Sequence, residues 1–421
     1  MKTQFRQIFY KIRSLYEYFL VSIQPFYENR AIRKLRKKKG SLNVLFFILY
    51  ESNWKYESLY RLMEKDDRFN PIILICPSIN RGYEHMIQNL NECYGYFSSK
   101  NYNVLCALDL ENGTYRDVRS LSPDIIFYSN PYRGLIDKRY DIKRYRDVLT
   151  CYVNYFFNNN KYEWSSNLLL HRLVWRFFVE CNQSRDIHKA IRKQHINNLV
   201  TTGYLPYDTF ITPKSDSDYW KIKDKKIKRI IWAPHHSIIA KEGELRYSTF
   251  LLYCEFMKEM AIKYRDQIQI VFKPHPLLRV TLSKHLWGET RTNAYYSFWE
   301  DQVNTNFSNG EYINLFKSSD ALIHDCGSFE VEYLYVNNPV LYLANYNPES
   351  QFNEIGKEAL KCHYLATTSE QIEEFILNVI LSGDDILLKK RTEFYNNYLL
   401  PPNNKTVAEN ILAELIKIRE V

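Results

Sequence analysis

The chain has 421 residues, of which 45% are hydrophobic, and a formal net charge of +9. This length and composition predict a globular protein with two domains, each able to bury a full core. No apolar run reaches the about 18 to 20 residues of a membrane span, and no short apolar core precedes a small-residue cleavage site. The eight cysteines form no CxxC pair, which favours free thiols in a reducing cytosol over disulfides or a zinc ribbon. We therefore expect a cytoplasmic protein that is neither secreted nor integral to a membrane.

The positive charge is confined to the amino-terminal segment, residues 1–40, which hold eleven Lys or Arg and two Glu. Apolar residues recur there at helical spacing from residue 5 to residue 23,. One interpretation is a basic amphipathic helix on the head groups of an anionic membrane, where each basic residue adds about 1 kcal/mol. The other is a helix docked on the protein's own core. A nucleic-acid partner is not expected, because the rest of the chain has neither surplus positive charge nor a recognisable motif for one.

The first half of the chain alternates short apolar strands with helical stretches. Strands are predicted at 44–50, 72–76, 104–108, 124–128, 148–157 and 198–202, and helices at 56–65, 83–100, 164–181 and 185–194. This alternation predicts a parallel sheet covered on both faces. The turn at 203–208 and the lysine-rich connection at 221–229 then mark a boundary. We divide the chain into the amino-terminal segment 1–40, a first domain 41–205, a second domain 206–403 and a carboxyl-terminal helix 404–421.

The second half repeats the pattern, and three polar clusters each follow one of its apolar strands. The strands are predicted around 230–232, at 268–272, 321–323 and 340–343, and helices at 248–264, 311–317, 329–336, 370–381 and 406–419. The polar clusters are residues 235–237, 273–275 and 324–328. Because carboxyl ends of parallel strands share one edge, we expect the clusters to meet in one ligand cleft between two doubly wound domains.

The histidine-containing clusters have the side chains that phosphate groups require. His275 lies between two prolines, which hold its direction, and Lys273 supplies a cation for phosphate oxygens. His235 and His236 offer imidazoles that donate to a phosphate or accept a proton. Since no carboxylate sits beside these histidines at ligand spacing, we expect no metal.

The third cluster has the pattern of a phosphate-binding helix start. Gly327 lets the backbone approach a ligand, and Ser328 is predicted to cap the helix and leave its amide groups facing outward. Glu332 lies about one turn deeper, where a carboxylate can accept hydrogen bonds from ribose hydroxyls. The alternative is an ordinary strand–helix turn with a serine cap and a solvated glutamate.

These motifs, in order, resemble the CDP-glycerol glycerophosphotransferase family, the teichoic-acid-type polymerases and primases. The resemblance spans about residues 200 to 345. It is carried by Lys273-Pro274-His275-Pro276, Asp325-Cys326-Gly327-Ser328 with Glu332, Asn338-Pro339-Val340-Leu341-Tyr342, Trp232-Ala233-Pro234 and the segment from Gly203 to Asp208. It implies a GT-B fold, two Rossmann-like domains with the CDP-linked donor held by the second, and transfer of glycerol phosphate to a glycan or lipid-linked hydroxyl with release of CMP.

The resemblance also implies roles. Lys273, His275 and the amides of Gly327 and Ser328 are expected to bind the donor diphosphate. Glu332 is expected to bind the ribose. His235 or His236 contacts phosphate or abstracts the proton, and Asp325 orients one of them. No cofactor or metal is implied, and the enzyme is expected at the inner face of the cell membrane.

The chain also departs from the family pattern. The family's Trp-His-Gly-Thr-Pro segment, with the expected base, has no counterpart, and Cys151-Tyr152-Val153-Asn154-Tyr155 stands in its place. Cys326 and Gly327 also replace the residues that separate the aspartate and last serine of the family motif. Two other functions stay open: a glycosyltransferase of capsule or lipopolysaccharide synthesis that uses a nucleotide sugar, and a non-catalytic scaffold at the membrane surface.

Overall fold

The computed structural model describes the backbone of residues 2–192, 194–213, 219–239, 247–345 and 347–420, with side chains from residue 11 onward. It forms two compact units. The first comprises Met1–Phe156, Tyr162–Asp208 and Pro401–Val421, and the second comprises Phe157–Lys161 and Thr209–Leu400. None of the helices in these described ranges combines the length and the apolar character needed to cross a membrane.

The first unit is built on a seven-stranded sheet in which every pairing is parallel. Its strands are β1 Leu42–Ile48, β2 Phe69–Ile75, β3 Val104–Cys106, β4 Ile125–Tyr128, β5 Leu149–Val153, β6 Arg176–Val179 and β7 Leu199–Thr201. Their spatial order is β3-β2-β1-β4-β5-β6-β7. The register places Val44 of β1 between Pro71 of β2 and Ile125 of β4. The predicted doubly wound parallel sheet is therefore confirmed for this unit.

Both faces of this sheet are buried, which explains why its strands read as continuous apolar runs. Phe46 and Ile48 of β1 belong to one core cluster, while the alternating residues Leu45 and Phe47 belong to another. Successive side chains of a strand point to opposite faces, so a strand covered on both sides needs apolar residues at every position.

Two helices of the first unit precede its first strand, and others come between its strands. They are α1 Lys2–Ser22, α2 Gln24–Lys37, α3 Glu57–Glu64, α4 Tyr83–Ser99, α5 Glu163–Ser166, α6 Leu169–Leu173 and α7 Asn182–Ile191. A further short helix, α8 Tyr207–Phe210, lies where the chain passes to the second unit.

The predicted helix at 164–181 is wrong. The chain there forms the two short helices α5 and α6 and then the strand β6. The end of this stretch, Trp175-Arg176-Phe177-Phe178-Val179, is aromatic and β-branched, a composition that suits a buried strand,. A short apolar run does not distinguish a buried strand from a buried helix by its periodicity. The predicted strand at 148–157 likewise ends early, at Val153.

The second unit repeats this architecture with six parallel strands. They are β8 Lys228–Ala233, β9 Ile268–Phe272, β10 Thr305–Phe307, β11 Ala321–His324, β12 Val340–Leu343 and β13 Tyr364–Ala366, in the order β10-β9-β8-β11-β12-β13. The chain leaves β8 toward β9 on one side and later returns to β11 on its other side. The point between β8 and β11 is therefore the topological switch point of this sheet, where open α/β sheets bind ligands.

The helices of the second unit are α9 Phe250–Lys263, α10 Leu277–Thr281, α11 Gly288–Asp301, α12 Ile313–Ser318, α13 Gly327–Glu332, α14 Glu354–Leu360, α15 Ser369–Glu374 and α16 Leu388–Phe394. A packed aromatic core joins β8 and β9 to α9 and α11, with Trp232, Phe250, Phe272 and Trp299 at its centre. The helices at 277–301 and the edge strands β10 and β13 were not predicted from the sequence.

A five-residue crossing segment, Phe157–Lys161, belongs to the second unit although the residues on either side belong to the first. It is bound along residues 351–353. The Lys161 amide donates to the Gln351 carbonyl (3.2 Å), and the Asn353 amide donates to the Asn159 carbonyl (2.8 Å). The segment is thus an integral part of the second unit.

The last helix, α17 Val407–Glu420, returns to the first unit. Both carboxylate oxygens of Asp208 accept its first amides, from Val407 and Ala408, each at 2.8 Å. Gly203 has φ +102°, and a Cβ there would lie 2.7 Å from a Val407 methyl. The 203–208 motif was predicted as a turn at a domain boundary. It also caps the start of α17 and packs closely against it.

The two amino-terminal helices differ in how they pack. On α2, Ala31 and Leu35 are buried in the core of the first unit. On α1, Leu20 and Val21 of the last turn are buried, but an apolar row further toward the amino terminus is 51% to 70% exposed. That row consists of Ile12, Leu15, Tyr16, Tyr18 and Phe19. The structure therefore shows a docked α2 and an α1 that presents a large apolar surface.

Candidate functional site

The three predicted polar clusters lie together at one edge of the second sheet. They follow β8, β9 and β11, and β8 pairs with both of the other strands. Residues 235–237 and 324–328 flank the switch point. The expectation that strand topology brings these distant segments together is confirmed within the second unit.

Three imidazole rings form the centre of this edge, and we call His235, His236 and His275 the histidine cluster. Their ring centroids are 4.4 Å apart for His235 and His236, 4.2 Å for His236 and His275, and 5.0 Å for His235 and His275. One ring nitrogen from each lies within 4.8 Å of the other two. The cluster is compact enough for all three rings to contact one small group.

Backbone hydrogen bonds continue the sheet into the cluster. The Lys273 amide donates to the Trp232 carbonyl (2.8 Å), and the His275 amide donates to the Pro234 carbonyl (3.0 Å). Pro274 and Pro276 restrict the chain on either side of His275. Lys273 itself is buried, and its charge is among the causes that lower the pKa of His275.

Hydrogen bonds also indicate which nitrogen of two of these rings carries the proton. The Leu277 amide donates to Nδ1 of His275 (3.1 Å), and the Ser237 amide donates to Nδ1 of His235 (3.2 Å). The Ser237 hydroxyl lies 2.8 Å from Nδ1 of His235 and accepts from the Tyr247 amide, so its own hydrogen is free to point to that Nδ1. A neutral imidazole whose Nδ1 accepts a hydrogen bond carries its proton on Nε2. Both rings therefore present an N–H donor at Nε2.

Burial keeps the rings neutral. It lowers the pKa of His275 to about 3, that of His235 well below its ordinary value, and that of His236 to a smaller extent. Neighbouring imidazoles add to the effect on His235 and His275. At neutral pH the cluster is a set of uncharged rings.

The tautomers of these rings determine whether the cluster suits a cation or an anion as its ligand. A metal ion requires a lone pair on the coordinating nitrogen. In His235 and His275 the Nδ1 lone pair is engaged by a backbone amide, and Nε2 carries hydrogen. The cluster is therefore built to donate hydrogen bonds, which suits the oxygens of an anion such as phosphate.

Asp325 fixes the loop that carries His235. Its carboxylate accepts hydrogen bonds from the His235 amide (2.5 Å), the Thr249 amide (2.5 Å) and the Thr249 hydroxyl (2.9 Å). Burial raises its pKa to about 7, and these donors oppose the rise. Asp325 thus positions a histidine, as the sequence suggested, but through the backbone amide and not through the ring.

Gly327 lies where a side chain has no room. A Cβ there would be 2.7 Å from the Tyr247 hydroxyl. The Tyr247 ring in turn lies 5.3 Å from the His235 ring, and its amide donates to the Ser237 hydroxyl (3.0 Å). Tyr247 therefore links the first turn of α13 to the histidine cluster.

The predicted serine cap of this helix is wrong. Helix α13 begins at Gly327, and Cys326 occupies the N-cap position without a capping side-chain bond. Ser328 is the second residue of the helix, and its side chain is exposed. The first amides of any helix, here those of Gly327 and Ser328, have no partner within the helix itself.

The acidic residues of α13 are buried. Glu332 hydrogen-bonds to Tyr312, and this contact, after burial, helps to raise the tyrosine's pKa. Glu330 is fully buried and accepts a hydrogen bond from the side-chain amide of Asn159 (2.6 Å). The same side-chain nitrogen also donates to the Gly327 carbonyl (2.5 Å). Burial raises the pKa of Glu330 well above its ordinary value. Asn159 therefore holds both ends of the first turn of α13.

Sequence reasoning missed four residues around this site: Asn159, Thr249, Tyr247 and Glu330. The Ser248-Thr249 pair before a helix was a recognisable capping signal. Asn159 had only a weak signal, a run of three asparagines after a predicted strand. His324, within the third cluster, packs against Tyr342 and His363 and is a core residue.

Two parallel doubly wound sheets in successive units define the GT-B class of fold. No protein-family model matches the sequence, and no curated protein matches it significantly.

Solved structures match 89% to 100% of the chain. The wall teichoic acid polymerase TagF, in a histidine-to-asparagine variant, has 12% identity and a TM-score of 0.59, covering 100% of this chain and 98% of its own. UDP-GlcNAc 2-epimerase from Neisseria meningitidis, bound to UDP-GlcNAc, has 13% identity and a TM-score of 0.56, covering 90% and 100%. The S. aureus MnaA–UDP structure has 14% identity and a TM-score of 0.53, covering 89% and 96%. At these identities the likeness establishes the fold.

Proposed function

We propose that the protein is a transferase that moves glycerol phosphate, or a related alditol phosphate, from a CDP-linked donor to a hydroxyl of a cell-surface glycan or lipid-linked acceptor. The observation that carries the proposal is the compact cluster of His235, His236 and His275 at the switch point of the second sheet, in which the backbone amides assign Nε2–H donors to His235 and His275. Three of the motifs that resemble the glycerophosphotransferase family, at residues 232–234, 273–276 and 325–328, lie at this same edge. A TagF structure soaked with CDPG has the same fold, with a TM-score of 0.57.

In the proposed reaction the acceptor oxygen attacks the β-phosphorus of the donor. A new oxygen–phosphorus bond forms, the bond to the bridging diphosphate oxygen breaks, and CMP leaves with that oxygen and its negative charge. Phosphoryl transfer depends mainly on positioning and on stabilising this charge. His235, His275, Lys273 and the amides of Gly327 and Ser328 supply donors and positive charge for it, while Asp325 holds the His235 loop in place.

His236 is our choice for the group that receives the acceptor proton. Burial lowers its pKa less than it lowers the pKa of His275, so its ring keeps more basicity. The position of the family's usual base is occupied here by β5, where Cys151 and Tyr152 are fully buried. We assign ribose recognition to Glu332, which requires its carboxylate to exchange Tyr312 for the ligand.

We also propose that the enzyme lies on the inner face of an anionic membrane, which the exposed apolar row of α1 and the basic surplus of residues 1–40 support,. A lipid-linked acceptor would be delivered there.

The direct test is release of CMP. Purified protein is mixed with CDP-glycerol and a lipid-linked or glycan acceptor, and CMP is quantified with and without acceptor. We expect CMP to form only when acceptor is present. Absence of CMP from every CDP-alditol tried would overturn the assignment.

A second candidate is a glycosyltransferase that uses a nucleotide sugar, since structures of the same fold hold UDP-GlcNAc or UDP. Thermal-shift measurements with CDP, UDP, GDP and CMP-linked donors separate the two. A ligand at 100 times its dissociation constant adds about 2.7 kcal/mol to stability. Stabilisation by UDP and its sugars, but not by CDP, would favour this second candidate.

A further inference from the structure

The first unit contains a separate cavity of about 360 Å³ lined by four arginines. They are Arg116, Arg119, Arg139 and Arg144. Two come from the loop before β4, and two come from the short 3-10 turns at Lys138–Tyr140 and Ile142–Arg144. The stretch from residue 138 to residue 147 holds five basic residues and two aspartates. Nothing in the transferase proposal uses this cavity.

Two of the guanidinium groups are held in fixed orientations. Arg119 makes a two-pronged ion pair with Asp147 (2.7 and 2.8 Å) and lies 5.3 Å from the Tyr145 ring centroid. Arg139 pairs with Asp137 (2.9 Å) and lies 3.7 Å from the Tyr115 ring centroid. A fixed guanidinium loses little conformational entropy when it binds a ligand, so such groups suit a binding site.

The other two arginines supply the surplus charge. Among the described residues, neither Arg116 nor Arg144 has a carboxylate within ion-pair distance, and Arg116 donates to the Cys106 carbonyl (3.3 Å). Asp117 is the one carboxylate in the lining, and it accepts a hydrogen bond from the Arg119 amide (2.9 Å). With Asp147 and Asp137 paired to Arg119 and Arg139, and with Asp117 in the lining, the four arginines face three carboxylates, so the cavity keeps one net positive charge.

We propose that this cavity binds an anionic phosphate ester. A guanidinium fork matches the paired oxygens of a phosphate, and in the described part of the chain the forks of Arg116 and Arg144 hold no carboxylate within ion-pair distance,.

The structure also indicates the source of that phosphate. The stretch that lines the cavity also contacts the end of α1 and the start of α2, because Arg146 donates to the Leu20 carbonyl (2.7 Å) and to the Gln24 side chain (2.9 Å). Lys143 lies 5.9 Å from the ring of Tyr16, one of the exposed apolar residues of α1. A phosphate next to an apolar surface is the chemistry of a lipid head group, and we assign the cavity to that source. This last step rests on the proposed membrane location, whereas the phosphate site itself does not.

The test compares full-length protein with the double variant Arg116→Gln/Arg144→Gln. The matched control is Lys225→Gln/Arg265→Gln, which removes the same charge from exposed positions of the second unit. Binding is measured by titration with sn-glycerol 3-phosphate and by flotation with phosphatidylcholine vesicles with and without phosphatidylglycerol. CDP binding, measured in parallel, reports on the histidine cluster independently.

We expect the double variant to lose about tenfold or more in affinity for phosphatidylglycerol vesicles and for the soluble ester, with CDP binding unchanged. If the double variant lost affinity for the soluble ester but not for the vesicles, the phosphate site would be confirmed and a lipid as the source of the phosphate would be overturned. Equal losses in the control would overturn the proposal, since net charge alone would then account for the effect. Wild-type affinity of the double variant for both ligands would overturn it as well. Protection of Arg116 and Arg144 from phenylglyoxal by the ester, read by mass spectrometry, locates the site without any substitution.

Discussion

At the scale of single residues, backbone amides determine what the histidine cluster offers a ligand. The Leu277 amide engages Nδ1 of His275, and the Ser237 amide engages Nδ1 of His235. Each ring is thereby left with a hydrogen-bond donor at Nε2. Two short local contacts thus convert side chains often used as metal ligands into uncharged donors.

Replacing His275 tests this role. We expect His275→Ala to lower CMP release by about 10² to 10³-fold, because one donor to the developing charge is lost. CDP binding measured by thermal shift should weaken in parallel. The control is His285→Ala, which removes an exposed histidine from the same unit. A His275→Ala variant with wild-type CMP release would remove the cluster from the mechanism, and retention of cellular function without catalysis would support a scaffold.

Asn159 provides a second test, because one amide group serves two acceptors at α13. In Asn159→Leu the buried Glu330 carboxyl and the Gly327 carbonyl both lose their donor. We expect the second unit to lose about 1 to 3 kcal/mol of unfolding free energy and the KM for the donor to rise more than kcat falls. Urea denaturation and steady-state kinetics measure the two effects.

The comparison for this variant is Asn378→Leu, at an exposed position of the same unit. If Asn159→Leu and Asn378→Leu behave alike, Asn159 does not organise the helix start.

The candidate site could be predicted from the sequence only where chemistry and spacing coincide. His275 between two prolines and the Asp325–Ser328 segment after a strand are local patterns, and strand topology brought them together. The cap was misplaced because Ser328 has the preferred chemistry while Cys326 has the required backbone geometry,. The role of Asn159 was not predicted, because its partners lie 168 and 171 residues away in the chain.

At the scale of elements, α1 and α2 have different roles despite similar sequence patterns. Helix α2 contributes Ala31 and Leu35 to the core, whereas α1 keeps its apolar row exposed. Periodicity alone did not distinguish a docked face from a membrane-facing one, because both need the same amphipathic pattern.

This difference predicts two different outcomes of truncation. Removing residues 2–19 should leave a folded protein that no longer binds anionic vesicles, because the exposed row and its basic neighbours are lost. Removing residues 2–40 should also destabilise the first unit, by about 2 to 5 kcal/mol for each large core side chain removed. Vesicle flotation and thermal unfolding measure the two effects. Vesicle binding that survives the shorter truncation would contradict a membrane role for α1.

The strands of both sheets were the most predictable elements, since a strand buried on both faces is a short continuous apolar run. The prediction of a helix at 164–181 failed because the pattern of Phe177-Phe178-Val179 is equally compatible with a buried helix and a buried strand. The position of α17 could not be predicted either. The helix packs on Gly203 and is capped by Asp208, and the two capping bonds span 199 and 200 residues of the chain.

At the scale of the whole molecule, buried titratable groups predict how stability depends on pH. Seven histidines have a lowered pKa, with burial as the main cause: His171, His188, His235, His236, His275, His324 and His363. Below about pH 6.5 the unfolded chain takes up protons that these folded rings refuse, so the unfolding free energy falls as pH falls. Each histidine that stays neutral contributes up to about 1.4 kcal/mol per pH unit.

Asp325 and Glu330 act in the opposite direction. Their pKa is raised by burial, so the folded state holds protons that the unfolded state has released between about pH 4 and 7. Burial also raises the pKa of Asp208 and Glu51. Four carboxyls do not offset seven histidines, and we expect a net loss of stability between pH 6.5 and 4. Urea unfolding at several pH values measures it, and His171→Phe should reduce the slope. An unfolding free energy that is constant or rises toward pH 4 would contradict the burial of these rings.

The central claim is that the histidine cluster is the donor's diphosphate site, and a crystal structure of the protein with CDP tests it most directly. We predict diphosphate oxygens at about 2.7 to 3.2 Å from Nε2 of both His235 and His275, with the β-phosphate toward the start of α13. CDP bound elsewhere, or a metal ion coordinated by these Nε2 atoms, would contradict it.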